Sequence, residues 1–187
     1  GAHGARGSAE LELTVYGPKM ALHSGHYGNY VPNPAIRLAQ LLASMKDERG
    51  RVAVAGFYDD IPALPAEELR LQQAVPDDPD SLKKLFGFAA PDDLGGSLQD
   101  ALRYPSLNIR GLRSGYVGAD ARTAIPTEAV AAIDIRLVKE TPGAALVDKV
   151  LAHIRNQGYH IVDQAPDDAL RLQYPRIVRV DRSTPTE

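Results

Sequence analysis

The sequence predicts an α+β fold: a two-layer, ferredoxin-like sandwich whose mainly antiparallel sheet carries two helices on one face. Three observations predict it. Residues 10–16 and 129–138 alternate as half-buried strands. Two segments carry apolar residues at helical spacing behind clear start signals. The elements follow one another as β-α-β and later β-β-α-β.

In the first strand Leu11, Leu13 and Val15 share one face, against Glu10, Glu12, Thr14 and Tyr16 on the other. The first helix is predicted from Asn33 to about Glu48. The Asn33 side chain can cap it, and Pro34 at the first helical position gives up an amide that has no partner there. Leu38, Leu41, Leu42 and Met45 form its apolar face, Gly50 is the expected stop, and Val52-Ala53-Val54 reads as a short strand. From 56 to 104 the pattern changes. Pro62, Pro65, Pro76, Pro79 and Pro91, with paired aspartates at 59–60, 77–78 and 92–93, break the chain into short helices at 66–74, 79–87 and 96–103. This stretch reads as an insertion beside the core.

Leu107-Asn108-Ile109-Arg110 is the next strand, followed by a glycine-rich stretch. In the strand over 129–138, Ile133, Ile135 and Leu137 face one way and Asp134 and Arg136 the other. Thr141-Pro142 reads as N-cap and first turn of a second helix carrying Val147, Val150, Leu151 and Ile154, which Gly158 stops. Tyr159 to Val162 is a further strand, and 170–180 is either an edge strand or a lead into another domain. The whole reads as one domain, with its core at about 9–55 and 105–180 and the insertion at about 56–104.

Composition narrows the function. The 187 residues carry a net charge of −3 with no basic run, which argues against nucleic acid as partner. Paired surface aromatics for stacking bases are also missing from the central strands. No apolar run approaches the roughly 20 residues that span a bilayer, and no secretory leader is visible, so no membrane partner is expected and the compartment stays open. The start, Gly1-Ala2-His3-Gly4-Ala5, lacks a methionine and reads as the beginning of an excised piece. With no cysteine, disulfides, thiolate zinc sites and cysteine nucleophiles are excluded.

The most informative stretch is Leu22-His23-Ser24-Gly25-His26-Tyr27-Gly28-Asn29, running into Val31-Pro32-Asn33-Pro34-Ala35. It places His23 on a glycine-bounded loop. Glycines serve a turn; a histidine does not, so His23 is either a hydrogen-bonded structural residue or a functional one. His26 reads as a solvated histidine, and His153, on a helix, and His160, on a strand, as structural. Ser24 beside His23 makes no hydrolase triad, because no Gly-x-Ser-x-Gly elbow is present. Glu67-Glu68 reads as a solvated helix face. Arg136 has a plain reading too, an exposed strand arginine paired with Asp134, and Thr123 one as a turn-forming hydroxyl.

Gly4-Ala5-Arg6-Gly7, a strand, His-Ser-Gly-x-Tyr-Gly and Asn-Pro-Ala together resemble the lid, or dimerisation, domain of the aminoacylase and carnosine-dipeptidase family of zinc metallopeptidases. The likeness continues through Gly56-Phe57-Tyr58-Asp59, Arg103-Tyr104-Pro105-Ser106-Leu107, Thr123-Ala124-Ile125-Pro126 and Ile133-Asp134-Ile135-Arg136-Leu137-Val138, in order over nearly the whole chain. Gly-Phe-Tyr-Asp and the long insertion are most similar to the carnosine-dipeptidase branch. The resemblance implies a lid that interrupts a catalytic domain carrying two zinc ions and pairs with a second lid in a homodimer, by helix packing and edge-strand addition. It implies that His23 crosses to the partner's active site to stabilise the oxyanion of a tetrahedral intermediate, with Thr123 near it and the substrate. It also implies that Arg136 grips the terminal carboxylate of a peptide or N-acyl amino-acid substrate. Imidazole and guanidinium suit those two anions chemically.

The His-x-Asp motif that the resemblance associates with the zinc ions does not occur here, so no metal ligand is assigned. This chain alone is expected to bind no catalytic zinc and to be inactive, the catalytic domain belonging to the same parent chain. The competing expectation is a free-standing ferredoxin-like regulatory domain that binds a small molecule.

Overall fold

The computed structural model describes residues 7–61, 63–74, 78–139 and 141–183. The segment 1–6, with His3, Gly4, Ala5 and Arg6, lies outside the described residues, as do Pro62, Pro76 and Asp77.

Strand β1 (Ser8–Tyr16) buries Ala9, Leu11, Leu13 and Val15, as the alternation requires. Two-residue β2 (Leu22–His23) leads into one helical turn, α1 (Ser24–Tyr27), and then into α2 (Pro34–Met45). Asn33 caps α2, its Oδ1 accepting the Ala35 N–H at 2.8 Å. The helix stops at Met45, short of Glu48, and Gly50 takes no part in ending it. Asp47 Oδ1 accepts from the Arg49 and Arg51 amides, holding the chain in a turn that competes with another helical turn. Residues 52–54 form no strand; Val52 makes one isolated bridge to Lys46, and its N–H donates instead to the Tyr58 hydroxyl at 2.7 Å.

Helices α3 (Ala66–Ala74), α4 (Pro79–Phe86) and α5 (Leu98–Ala101) follow. Asp78 caps α4, and Gly87 closes it at φ +77°, a conformation that favours glycine. Next come β3 (Ser106–Arg113), β4 (Ala124–Ile125) and β5 (Glu128–Arg136). Strand β3 runs three residues past the predicted Arg110, through a bulge between Ile109 and Gly111. Helix α6 (Gly143–Asn156) starts one residue later than the Thr141-Pro142 reading allows. Pro142 occupies the cap position without a side-chain bond, and Thr141 is buried in the turn that its N–H makes with the Val138 carbonyl. The chain closes with β6 (His160–Val162), α7 (Asp168–Gln173) and β7 (Ile177–Arg182).

The five-stranded sheet has the order β3-β5-β1-β7-β6, antiparallel throughout except between β6 and β7. Residues 170–180 therefore supply an interior strand and not an edge. Val178 and Val180 lie opposite Val15 and Leu13, where β7 continues the buried face of β1, and the three-residue β6 takes the edge. Helices α2 and α6 contribute Leu38, Leu41, Met45, Leu146, Val147, Val150 and Ile154 to the same core as the inward residues of β1 and β5. Strands β2 and β4 pair as a separate small ribbon.

A polar link joins the two helices. His153 Nε2 lies 2.8 Å from Ser44 Oγ, whose hydroxyl donates to the Leu41 carbonyl, so the imidazole N–H is the donor of the pair. That direction removes Ser44 and His153 as a nucleophile and base. Burial holds the His153 imidazole below its ordinary value. The unfolded chain binds this proton more readily, so the contribution is complete above the ordinary histidine range. It is lost as pH falls towards the lower folded value. Thermal unfolding midpoints are expected to drop as the pH falls below the ordinary histidine value of about 6.5, and His153→Gln should flatten part of that drop. Parallel profiles in the two proteins would contradict it.

Candidate functional site

The ribbon of β2 and β4 brings together residues a hundred positions apart. His23 pairs with Ala124, and the Ser24 N–H donates to the Thr123 carbonyl at 3.0 Å, so His23 and Thr123 are neighbours, both exposed. His23 also caps α1: its Nδ1 accepts the Gly25 N–H at 3.0 Å. A backbone N–H can only donate, so Nδ1 of a neutral His23 is an acceptor and its proton sits on Nε2, available as an outward donor. A Cβ on Gly25 would stand 2.7 Å from His23 Cε1, so the glycine is what lets the ring fold onto the backbone. Gly28 serves close approach as well, since a Cβ there would meet the Ser24 carbonyl oxygen at 2.5 Å.

Arg136 is not part of this group. It ends β5, opposite Ser8 of β1 and Ser106 of β3, while the ribbon joins the sheet at the Glu128 end. Eight residue steps separate Glu128 from Arg136, about 27 Å of extended strand. Arg136 has the ion pair its plain reading predicts: Nε lies 3.5 Å from Asp134 Oδ2, while Asp134 Oδ1 accepts from Asn108 at 2.9 Å. The arginine side chain stays half exposed, and its guanidinium carries more N–H donors than this one contact occupies. Arg110, bonded to Glu10 at 2.8 Å, continues this charged outer face of the sheet.

The remaining histidines are placed otherwise. His160 stacks on Tyr174 with ring centroids 3.7 Å apart. His26, read from sequence as merely solvated, is exposed but meets His23: the two Nδ1 atoms lie 3.2 Å apart. The signal was present in the three-residue spacing across a capped turn. Glu67 and Glu68 lie exposed in the first turn of α3. Among the described residues no three His, Asp or Glu side chains gather as a metal-holding group, so the residues present do not fit a zinc pair. No described helix is long and apolar enough to cross a membrane.

Two clefts of about 470 and 480 Å³ flank the core, the first beside Tyr16, Pro34 and Arg171, the second beside Tyr58, Phe86 and Phe88. Neither is lined by His23, Thr123 or Arg136, which stand on open surface.

Sequence and fold together define a class. The chain matches the peptidase dimerisation domain over residues 3–162 and belongs to that family. It is similar to a Cys-Gly metallodipeptidase of Candida albicans (28% identical over 157 residues, 83% of this chain and 32% of that protein). It is equally similar to the human Beta-Ala-His dipeptidase (28% over 159 residues, 82% and 31%). Among solved structures, a metallo-carboxypeptidase of Sulfolobus solfataricus superimposes with a TM-score of 0.70 at 31% identity, over 82% of this chain and 41% of that one. Human carnosine dipeptidase 1 gives 0.76 at 22%, over 96% and 36%, a likeness of fold. The chain thus spans about a third of the length of these two dipeptidases.

Proposed function

We propose that this domain is the dimerisation and substrate-capping lid of a zinc-dependent dipeptidase or related amidohydrolase. The reaction is hydrolysis of a peptide or amide bond next to a free carboxylate. The zinc ions and their chemistry belong to the remainder of the parent chain, and residues 56–104 are an insertion on the lid. The observation that carries the reading is the placement of Arg136 and His23 at opposite ends of the sheet. One copy cannot bring both to one small substrate; two copies related by a twofold axis can. Strand β1 begins and β7 finishes at the Arg136 end, where the Glu10 N–H donates to Ser183 Oγ at 3.0 Å. In this reading Arg136 serves the active site of its own parent chain and the ribbon reaches the partner's. There Arg136 holds the substrate carboxylate with its fork, and the His23 Nε2–H of the partner donates to the oxygen that gains charge.

Subunit mixing tests this in the full-length parent. His23→Ala and Arg136→Ala are each expected to be nearly inactive as homodimers. In a hybrid dimer one site keeps Arg136 from one protomer and His23 from the other, so an equal mixture should recover up to about a quarter of wild-type turnover. A mixture no more active than its two components would sink the shared-site reading.

A further inference from the structure

We propose that His26 is a positioning residue that holds the His23 imidazole in its working orientation; this rests on the reading of His23 as the group lent to the reaction. His23 Nδ1 is already fixed as an acceptor by the Gly25 N–H. Any hydrogen bond between the two Nδ1 atoms, 3.2 Å apart, must then carry its proton on His26. His26 therefore presents Nδ1–H to His23, and His23 Nδ1 is held by two donors. The rings meet edge to face, with centroids 4.9 Å apart and planes at 70°.

The need for a second donor follows from exposure. His23 and His26 both stand in solvent, one as the cap and the other within a four-residue helix with no buried residue, so core packing does not fix the ring. A single backbone bond leaves the imidazole free to exchange that contact for water and to rotate. The second bond and the ring edge restrict rotation about χ1 and χ2, and a group that must meet a developing charge benefits from being aimed beforehand. The i, i+3 spacing across the capped turn places one ring over the other.

His26→Phe keeps an aromatic edge and removes the donor; His26→Asn returns a short N–H donor. In the full-length parent, His26→Phe should lower kcat on the order of tenfold with KM nearly unchanged, and His26→Asn should recover much of the loss. Long-range proton–nitrogen correlation on the histidine-labelled chain, in mildly alkaline solution, reads the role directly. His23 should show one Nε2–H tautomer with a hydrogen-bonded Nδ1, and His26→Phe should move that Nδ1 signal towards the free, averaged position. An unchanged His23 spectrum and kcat in His26→Phe overturn the positioning role. Unchanged turnover in His23→Ala overturns the underlying reading of the site, so the two failures are told apart.

Discussion

Replacing His23 by alanine in the full-length parent is expected to lower kcat by about 100- to 1,000-fold while KM moves little. Because the Gly25 N–H occupies Nδ1, the neutral ring carries its proton on Nε2, the donor that the proposed role uses. Alanine leaves no donor for charge that develops only as the tetrahedral centre forms, so the loss falls on the transition state and spares substrate binding. Folding is not at stake. The side chain is exposed and α1 contains no buried residue, so losing the cap bond to Gly25 should lower the unfolding midpoint by only a few degrees. His23→Gln, with an amide donor on a similar stem, should retain part of the rate. Steady-state kinetics over a substrate series, with circular dichroism as the folding control, decide the matter. Wild-type kcat in His23→Ala would remove this residue from the reaction.

The parts of the molecule legible in the sequence are those whose causes are local. The alternation over 10–16 defines β1 because burial of one face needs nothing but a period of two. Asn33-Pro34 announces α2 because the cap bond spans two residues. The end of α2 is misjudged because Asp47 draws its amides from Arg49 and Arg51, a competition that apolar spacing does not register. The position of β7 inside the sheet is settled by Val178 and Val180 meeting strand β1, more than 160 positions earlier, and no local pattern carries that information. The same holds for the ribbon: two-residue strands have no period to read, so the meeting of His23 with Thr123 entered only as an implication of resemblance. Arg136 is the intermediate case. Its ion pair with Asp134 follows from two residues on one face of a strand, while its distance from His23 follows from the length of β5.

Strand β5 is also where the largest loss of stability is expected. Ile133 is fully buried at its centre, opposite Leu11 on β1 and Ile109 on β3, beneath the helices that supply Leu38, Leu41, Leu146 and Val150. Ile133→Ala removes three carbons from a site bounded by a paired strand on each side, and a sheet cannot close over the gap without breaking its ladder. The cost should fall in the upper half of the range for such truncations, about 4 kcal/mol. For a domain of this size that lowers the unfolding midpoint by roughly 10 °C, with the denaturant slope unchanged because the same surface is exposed on unfolding. Arg136→Ala, three positions along the same strand but half exposed, loses a 3.5 Å ion pair to the largely buried Asp134, which keeps its bond from Asn108, and should move the midpoint by less than half as much. In the full-length parent the two effects separate. Well below its unfolding midpoint, Ile133→Ala should keep turnover within a few-fold of wild type, because it touches neither His23 nor the Arg136 fork. A midpoint shifted by less than about 3 °C would mean that the space around Ile133 relaxes. The rigid strand that holds Arg136 apart from the ribbon would then not be rigid.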